Sequence, residues 1–473
     1  MGHYIGIDLG ASFIKGALLD SEKLKVKNII KYPSPNSSLA PQKNQEAVRF
    51  EVNCDLYEKL VRRIISELLH VEDSVEGIVL STQMHGMVLV DSNLKQITPF
   101  IGWQDERLHE KISKNETWLD RLNKKLKGID TSKTGIKFRT GLMGSTLFWL
   151  KENNFLKKNQ DMKALFLGDY VAAKLTNGAL VSHPTNACGS GLFNVEKNCW
   201  DEKILNALGI DKSFLPEIVS TGKKVGCMKI KSKSILVFVS IGDLQAAILG
   251  SLIGLGKNRD ICINIGTGSQ VSFVSSSFQA GKYDIRSYFD NTYLYTITFI
   301  PAGRALNVII GFIEDIGEKI FGQKAIDIWG KLAELVSNKK ESSGLEADIS
   351  YFKNSISDNI VGRFSNITEK NFTIDNIFFS ALERMADNFF VAYNRLGNIK
   401  ISDRIICAGG LGRKLTPLRI LIQKKFKRKI LLAPYKEETL AGLFILSLIC
   451  EGDFPNIKEA SLFIQKNNLK FEK

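Results

Sequence analysis

Two short stretches that lie far apart in the chain share one strand–turn–strand pattern. The first, YIGIDLGASFIKG at residues 4–16, places Asp8 in an apolar run and follows it with small residues. The second, CINIGTGSQVSF at residues 262–273, repeats the apolar positions and has Gly266 at the position of Asp8. Because chance rarely places two such turns in one chain, the repeat predicts two related halves.

The length and the order of the predicted elements indicate the fold class. The chain has 473 residues, of which 44% are hydrophobic. Single cores rarely grow past about 250–300 residues, so at least two domains are expected. Strand patterns at residues 4–20 and 75–91 flank a helix pattern at 54–70, and the alternation continues beyond them. It predicts an α/β architecture, with an N-terminal domain at 1–234 and a C-terminal domain at 235–473.

Several classes of protein are disfavoured by the composition. The chain begins MGHYIGIDLG, without a cationic segment before an apolar one, so we expect no secretory signal and a cytoplasmic location. The longest apolar run, at 234–256, contains Asp243 and Gln245 and is a poor membrane span. The seven cysteines include no C-x-x-C pair, which favours free thiols over disulfides or a zinc site.

The formal net charge of +14 is explained by nucleic acid, by anionic ligands or by a lysine-rich proteome. The lysine-rich run at 424–429 lies among apolar residues at helical spacing, which predicts a solvated helix face. The sequence has neither zinc-finger spacing nor an aromatic RNA-recognition strand. We therefore expect neither a nucleic acid nor a membrane as a partner.

The two turns are suited to holding phosphate. The sequence contains no G-x-x-x-x-G-K-[ST] and no G-x-G-x-x-G stretch, so neither a P-loop nor a dinucleotide-binding turn is present. Backbone N–H groups at Gly10 to Ser12 and at Gly266 to Ser269 can instead surround anionic oxygens, because small residues permit close approach. Asp8 adds a carboxylate suited to Mg²⁺ or its water ligands. Taken singly, either turn is also consistent with an ordinary tight hairpin.

The paired turns resemble those of the actin-like ATPase fold, and further stretches resemble the FGGY carbohydrate kinases. These stretches occur in that family's order: STQMHG at 81–86, GWQDER at 102–107, GDLQAA at 242–247, NIGTGSQ at 264–270 and CAGGLGRKLTPL at 407–418. The resemblance covers nearly the whole chain. It implies a two-domain actin-like (ribonuclease H-like) α/β fold with a cleft between the domains, and a sugar kinase that uses ATP and Mg²⁺.

Asp243 is the candidate catalytic base. It follows the apolar strand ILVFVSI and precedes the helix pattern LQAAILGSLI, which places a carboxylate at a strand–helix junction. From the residues alone, Asp243 is explained equally well as a helix N-cap that accepts an N–H from Gln245 or Ala246. The resemblance favours catalysis, because the matching aspartate is the catalytic base of the family.

Two motifs supply the candidates for sugar binding: QMHG, at the end of a predicted strand, and GWQDER. Short polar groups suit hydroxyls, and an aromatic surface suits the C–H face of a sugar. The candidates are Gln83, Met84, His85, Trp103, Gln104 and Asp105. Without the resemblance, Met84 and His85 are better explained by packing. The resemblance implies that Met84, His85 and Asp105 contact the sugar. Gln83, Trp103 and Gln104, in the same motifs, are added as further candidates.

Candidates for the nucleotide side lie on both hairpins and on a third turn. Lys15 lies on the return strand of the first hairpin, within reach of a phosphate, although an exposed strand lysine would look the same. The resemblance implies that the glycines of GGLG at 409–412 border adenosine. The full set for ATP and phosphate is Asp8, Gly10, Ser12, Lys15, Gly266, Thr267, Gly268, Gly409 and Gly410, with Asp8 also as the metal ligand.

The expected activity is phosphorylation of a terminal hydroxyl of a ketose by ATP. Within the family the motifs are most similar to the sedoheptulokinase branch, which implies sedoheptulose as substrate and sedoheptulose 7-phosphate as product. A xylulokinase acting on D-xylulose is the alternative. From another class, a non-kinase ATPase of the actin or Hsp70 type stays open, but it has no use for the QMHG and WQDER stretches. The expected partners are the sugar and ATP, and a homodimer is left open.

Overall fold

The computed structural model describes residues 2–38, 42–43, 47–156, 161–230, 232–253, 260–323, 327–339, 341–397 and 404–472. Two mixed β-sheets with helices on their faces form its framework, which confirms the α/β class. Among these residues, no helix is both long enough and apolar enough to span a bilayer.

The strands of the two sheets alternate with helices along the chain. The first sheet contains β1 (His3–Leu9), β2 (Phe13–Asp20), β3 (Lys25–Pro33), β4 (Val75–Thr82), β5 (Lys224–Ile230), β6 (Lys233–Phe238) and β7 (Ile241–Gly242). The second contains β8 (Ile261–Ile265), β9 (Ser269–Ser275), β10 (Asp284–Ser287), β11 (Tyr293–Ile300), β12 (Arg404–Ala408) and β13 (Lys429–Leu432). A last strand, β14 (Lys470–Phe471), returns to the edge of the first sheet beside β3.

Both sheets repeat one strand order. In the first it is β3-β2-β1-β4-β6, and in the second it is β11-β9-β8-β12-β13. In each, the first two pairings are antiparallel and the next two are parallel. The hairpins β1–β2 and β8–β9, which contain the two turns noted in the sequence, therefore occupy equivalent places in two related halves.

Helices lie on the faces of these sheets and in the segments that connect the strands. They are α1 (Cys54–Val71), α2 (Trp118–Lys125), α3 (Met143–Glu152), α4 (Leu167–Thr176), α5 (Pro184–Ala187), α6 (Glu202–Leu208), α7 (Asp243–Gly250), α8 (Gly303–Phe321), α9 (Ile328–Leu335), α10 (Ile374–Arg395), α11 (Gly410–Lys414), α12 (Thr416–Phe426), α13 (Glu438–Glu451) and α14 (Ile457–Asn467). Short ladders pair Gln42–Lys43 with Val48–Arg49, Glu51–Val52 with Phe100–Ile101, Val88–Asp91 with Met162–Leu165, Lys111–Ser113 with Glu116–Thr117, Val181–Ser182 with Glu217–Ile218, Phe193–Asn194 with Cys199–Trp200, and Glu346–Asp348 with Arg363–Ser365. Single 3₁₀ turns lie at Pro35–Ser38, Arg107–His109, Ser132–Thr134 and Lys212–Phe214.

Local sequence explains why α1 forms where the periodicity predicts it. The Asn53 side chain caps the helix by accepting a hydrogen bond from the backbone N–H of Asp55 at 2.9 Å. Its buried side chains recur at three- and four-residue spacing, as in Tyr57, Val61 and Ile64. The apolar stripe packs on the first sheet, so the predicted helix at 54–70 is confirmed almost to the residue.

The predicted boundary between residues 234 and 235 lies inside β6. This strand forms a hairpin with β5 and also pairs in parallel with β4, so the first sheet continues past the boundary. β7 then pairs with the end of β4. The division of the chain at 234/235 stays a prediction, but the pairing favours a later one.

Helices α7 and α13 bring the two halves together. Their backbones approach so closely that a Cβ atom on Gly442 would lie 2.0 Å from the carbonyl oxygen of Ala246. A Cβ atom on Gly250 would lie 1.9 Å from the carbonyl oxygen of Glu438. Glycine is therefore required at both positions, and each helix contributes to the packing of the other half.

Candidate active site

A cavity of about 390 Å³ lies where strand ends of the two sheets meet. It is lined by Asp8, Gly10, Ala11, Gln83, Met84, His85, Trp103, Arg139, Asp243, Leu244, Ala247, Asn264, Gln270, Arg286, Thr298, Phe299 and Thr439. Residues from both halves contribute, and the wall combines carboxylates, guanidinium groups and aromatic rings. Six of the residues named from the sequence are among them, together with Gly10 of the first turn.

Asp8 lies near the end of β1 and is almost fully buried. Its Oδ1 accepts a hydrogen bond from the Ser81 hydroxyl at 2.9 Å. Burial raises the pKa of Asp8 to about 6, and the charge of Lys15 and the Ser81 hydrogen bond oppose that rise. Lys15 pairs with Asp8 across the hairpin β1–β2.

Asp243 is the first residue of α7, not its N-cap. Gly242 holds the N-cap position, and Oδ1 of Asp243 accepts the N–H of the next residue, Leu244, at 2.7 Å. The N-cap explanation, with a bond from Gln245 or Ala246, is therefore wrong, and the carboxylate faces the cavity. Burial, followed by the nearby charge of Asp8, raises the pKa of Asp243 to about 7.

The QMHG turn has a strained backbone and places Gln83, Met84 and His85 at the cavity wall. His85 and Gly86 both have positive φ, near +67°, which reverses the chain directly after β4. A Cβ atom on Gly86 would lie 2.6 Å from the carbonyl oxygen of Ile101, so only glycine fits there. The preceding Gln83 is fixed by a bond from Asn36 Nδ2 to its Oε1 at 3.1 Å.

His85 is a neutral ring with an assigned tautomer. Its Nδ1 lies 2.7 Å from the carbonyl oxygen of Gly189 and must donate to it, which leaves Nε2 as an acceptor. Nη2 of Arg139 lies 3.3 Å from that Nε2. Burial, and then the charges of Arg139 and Arg286, hold the pKa of His85 well below its usual range. The ring therefore carries no charge, and on its cavity side it offers Nε2 as a hydrogen-bond acceptor.

The WQD stretch places only its tryptophan in the cavity. Trp103 lines the wall, whereas Gln104 is exposed to solvent and lies outside it. Asp105 is buried, and both of its oxygens accept hydrogen bonds from Arg107, at 2.7 and 2.9 Å. Its Oδ2 also accepts the backbone N–H of Phe50 at 2.8 Å. These contacts fit an internal support of the loop better than a sugar ligand.

The first hairpin divides its predicted residues between the cavity and the surface. Gly10 lines the cavity, and Ser12 is exposed at the tip of the turn. Nζ of Lys15 lies 2.5 Å from Oε2 of Glu437, a residue from the other end of the chain. Lys15 is therefore held by an ion pair next to the cavity and does not line it.

The second hairpin packs against a helix N-terminus. The carbonyl oxygen of Gly266 accepts the N–H of Gly303 at 3.1 Å, and that of Thr267 accepts the N–H of Arg304 at 2.8 Å. Gly268 faces open space, because a Cβ atom built there would have no neighbour within 4 Å. These contacts fix the turn and leave one side of it accessible.

The third glycine turn lies directly beside this hairpin. Gly409 has φ near +81°, and a Cβ atom on it would lie 2.5 Å from Oδ1 of Asn264. Gly410, by contrast, faces open space. The structure thus brings the glycines at 409 and 410 next to the β8–β9 turn, as expected for one nucleotide site.

Two arginines at the cavity wall were not identified from the sequence. Arg286 is buried on β10, donates to Sδ of Met84 at 3.0 Å, and lies 3.3 Å from Asp284. Its Nε has no hydrogen-bond partner among the described residues. Arg139 lies 5.3 Å from the Phe299 ring centroid, and burial and the charge of Arg286 lower its pKa. No motif marks either residue, since one lies in a loop and the other on an edge strand.

Asp8 is a suitable ligand for a hard cation such as Mg²⁺. Its carboxylate supplies oxygen ligands, which Mg²⁺ prefers. Its pKa is raised because burial leaves the negative charge poorly solvated. The described residues contain no group of three or more histidine, cysteine, aspartate or glutamate side chains placed to hold a metal ion. Mg²⁺ commonly binds through one or two carboxylates together with substrate phosphates and water, so the donor set fits that mode.

Comparisons with known proteins agree with this architecture. Residues 3–250 match the N-terminal domain of the FGGY family of carbohydrate kinases. Xylulose kinase from Lactococcus lactis is 29% identical over 323 residues, 65% of this chain and 61% of that protein. Mouse sedoheptulokinase is 24% identical over 390 residues, 72% of this chain and 75% of that protein. The chain spans 61%, 56% and 51% of the length of the first three curated relatives that it matches.

The fold comparison extends over nearly the whole chain. The crystal structure of Plasmodium falciparum glycerol kinase with ADP superimposes with a TM-score of 0.82 and 17% identity, covering 98% of this chain and 92% of that one. This likeness confirms the two-domain actin-like fold. With the family match over more than half of its residues, the chain belongs to the FGGY family of carbohydrate kinases.

Proposed function

We propose that this protein transfers the γ-phosphoryl group of ATP to a terminal hydroxyl of a sugar. One observation carries the proposal: the carboxylate of Asp243 faces a cavity whose wall also holds Met84, His85 and Trp103. The glycine turns of both halves lie at or beside this wall. An acid, groups suited to a sugar and two phosphate turns thus meet in one place.

In phosphoryl transfer the protein has little covalent chemistry to perform. Phosphoryl transfer depends on positioning, neutralisation of charge and a group that accepts the hydroxyl proton. Asp243 would take that proton, and a pKa of about 7 suits a base that works near neutral pH. The backbone N–H groups at Gly10 and Gly268 would hold phosphate oxygens. Closing the cleft would exclude water, so that phosphate reaches the sugar and not solvent.

Mg²⁺ is part of the proposal. When bound with ATP it would neutralise phosphate charge and orient the transferred group. Asp8 is the residue that would hold it, directly or through a water ligand. Lys15 would then be available to phosphate only if it left Glu437, its present partner.

For the acceptor, we propose sedoheptulose, with sedoheptulose 7-phosphate as the product. The similarity of WQD at 103–105, GDY at 168–170 and GDLQAA at 242–247 to the sedoheptulokinase branch supports a ketose, and mouse sedoheptulokinase is among the relatives. D-xylulose is the alternative, supported by the xylulose kinase from Lactococcus lactis. We also propose that the reaction takes place in the cytoplasm.

A non-kinase ATPase of the actin or Hsp70 type remains the alternative from another class. It would need the phosphate turns, but not the strained turn that places His85 at the cavity. The two hypotheses differ in whether a sugar stimulates ATP turnover.

ADP release at saturating ATP and Mg²⁺ tests the proposal. The panel is sedoheptulose, xylulose, ribulose, fructose, gluconate and glycerol, with the Asp243→Asn variant as the matched control. Preference for sedoheptulose supports the full proposal, and turnover with xylulose alone keeps the kinase and replaces the substrate. No sugar-stimulated turnover by folded, ATP-binding protein favours the non-kinase ATPase.

A further inference from the structure

A buried segment, residues 183–190, contacts both sides of the candidate site without lining the cavity. It contains the short helix α5 and lies between β4 and the β7–α7 turn. The carbonyl oxygen of Gly189 accepts Nδ1–H of His85 at 2.7 Å. The Thr185 hydroxyl accepts the backbone N–H of Gly242 at 3.0 Å. One segment therefore holds both the predicted sugar contact and the residue that precedes Asp243.

The Thr185 hydroxyl has only one orientation that satisfies its neighbours. Nδ1 of His183 accepts the backbone N–H of Thr185 at 3.2 Å and is therefore unprotonated. The hydroxyl lies 2.8 Å from the same Nδ1 and must donate its hydrogen to it. A lone pair of the hydroxyl is then left for the N–H of Gly242, and Nε2–H of His183 donates to the Thr221 hydroxyl at 3.0 Å.

Asn186 contacts the same turn two residues earlier, at Ser240. Its Nδ2 donates to the carbonyl oxygen of Ser240 at 3.0 Å and lies 2.9 Å from the Ser240 hydroxyl. That hydroxyl donates to Oδ1 of Asp169 at 2.7 Å. All three side chains are buried, so water cannot replace a lost partner.

The turn needs this outside support because its own pairing is short. β7 has two residues and pairs only with the end of β4. The N-cap of α7 is Gly242, which has no side chain with which to cap the helix. The contacts from Thr185 and Asn186 thus fix the peptide groups directly before Asp243.

We propose that Thr185 and Asn186 are positioning residues that set the place of the Asp243 carboxylate through the β7–α7 turn. The inference rests on the proposed role of Asp243 as the base. Because Gly189 of the same segment holds His85, the segment also ties the base to the acceptor side of the cavity. Neither residue touches the substrate in this account.

Steady-state kinetics of Thr185→Val and Thr185→Ser test the inference. Valine keeps the shape and loses the acceptor for Gly242 N–H, so we expect kcat to fall about tenfold or more, since small displacements of reacting groups are costly. The KM for ATP should change less than about twofold, and serine should restore most of kcat. The control is Thr98→Val, because the buried Thr98 hydroxyl also accepts a backbone N–H, from Leu89 at 3.0 Å, and lies outside the cavity wall.

A kcat of Thr185→Val within twofold of the unaltered protein overturns the inference. The same holds if Thr185→Ser is as impaired as Thr185→Val, or if Thr98→Val loses as much. Should Thr185→Val not fold, Asn186→Ala takes its place, with the same expected loss and the same criterion.

A second readout separates this inference from the proposed function. The pH dependence of the melting temperature, compared between Asp243 and Asp243→Asn forms, gives a titration midpoint for the coupled Asp8–Asp243 pair without any substrate. We expect Thr185→Val to move this midpoint by about half a pH unit or more. If the unaltered protein releases no ADP with any sugar, the proposed function fails, and an unmoved midpoint then overturns the inference as well.

Discussion

Two carboxylates on one wall of the cavity, those of Asp8 and Asp243, make the protonation state of the site depend on pH near neutrality. Burial raises the pKa of Asp8 to about 6 and, with the charge of Asp8, that of Asp243 to about 7. Because they interact, the two groups titrate as a pair. A base must be unprotonated to work, so catalysis and stability should respond to pH in opposite directions.

For catalysis, we expect kcat/KM to rise with pH through about 7 and then to level off. Asp243→Asn should retain the fold and lose most turnover at every pH. Rate profiles of both proteins between pH 5 and 9 provide the measurement. Turnover of the asparagine variant close to that of the unaltered protein would contradict the role of Asp243.

Folding stability should change with pH in the direction opposite to catalysis: it should fall as pH rises. The folded protein holds the Asp243 proton up to about pH 7, whereas the unfolded chain releases it near pH 4. The folded state therefore binds more protons in this window, and Asp243 lowers stability as pH rises from about 4 to about 7. Asp243→Asn should melt at a higher temperature than the unaltered protein at pH 8, and the difference should shrink by pH 5.

Arg286 and Arg139 place positive charge on the acceptor side of the cavity. Arg286 lines the cavity, and its Nη1 donates to the thioether sulfur of Met84, a weak acceptor that a ligand oxygen could replace. Arg286→Met should raise the KM for the sugar about 10- to 100-fold, since hydrogen bonds to charged groups contribute about 1.5–3 kcal/mol. The KM for ATP should stay within about twofold, as should both constants in Arg384→Met, a matched change in a separate cavity beside α10.

The sequence predicted the residues whose position follows from a strand end. Local pattern identified Asp8, whereas Met84, His85 and Trp103 were expected at the sugar through the family resemblance; all four line the cavity. The sequence could not show that Asp105 turns inward to Arg107 or that Lys15 meets Glu437, because those partners depend on loop geometry and on a contact across 422 residues. The two arginines were missed for the same reason.

At the scale of elements, the repeated sheet is the part of the fold that sequence predicted best. Its hairpins have local turn signals, and the strand order then follows from the duplication. The boundary at 234/235 could not be predicted as well. In the sequence, β6 looks like the start of a new apolar run. Its place in the first sheet is seen from its pairing with β5 and β4.

The crossing of α7 and α13 gives a prediction about stability. Gly442→Ala would put a methyl group 2.0 Å from a backbone oxygen of the facing helix, so the helices must separate. Overpacking of this kind costs about 1–3 kcal/mol. We expect a lower melting temperature and reduced turnover, because α7 also carries Asp243. Gly311→Ala in α8, where a methyl group meets open space, is the control and should leave the melting temperature equal or higher.

At the scale of the whole molecule, the cavity is bounded by both halves, which also share an apolar core and a hydrogen bond from the N–H of Ile285 to the carbonyl oxygen of Gly135. The glycine crossing of α7 and α13 is closely packed, whereas the ion pair of Lys15 and Glu437 is partly exposed. We expect the halves to rotate about the helix crossing when both ligands bind. ATP binds on one side of the cleft in our proposal and the sugar on the other, so each alone leaves the cleft incomplete.

Small-angle scattering measures this closure directly. A compact chain of this length has a radius of gyration of about 23 Å. We expect that value to decrease when a sugar acceptor and an ATP analogue that cannot transfer its γ-phosphoryl group are both present, and to change less with either alone, because closure gains its stabilising contacts only when both ligands span the cleft. Glu437→Gln, which weakens the partner of Lys15, should close more readily. Scattering curves that are identical with and without both ligands would mean that the halves do not move, and that water is excluded by the fixed shape of the cavity.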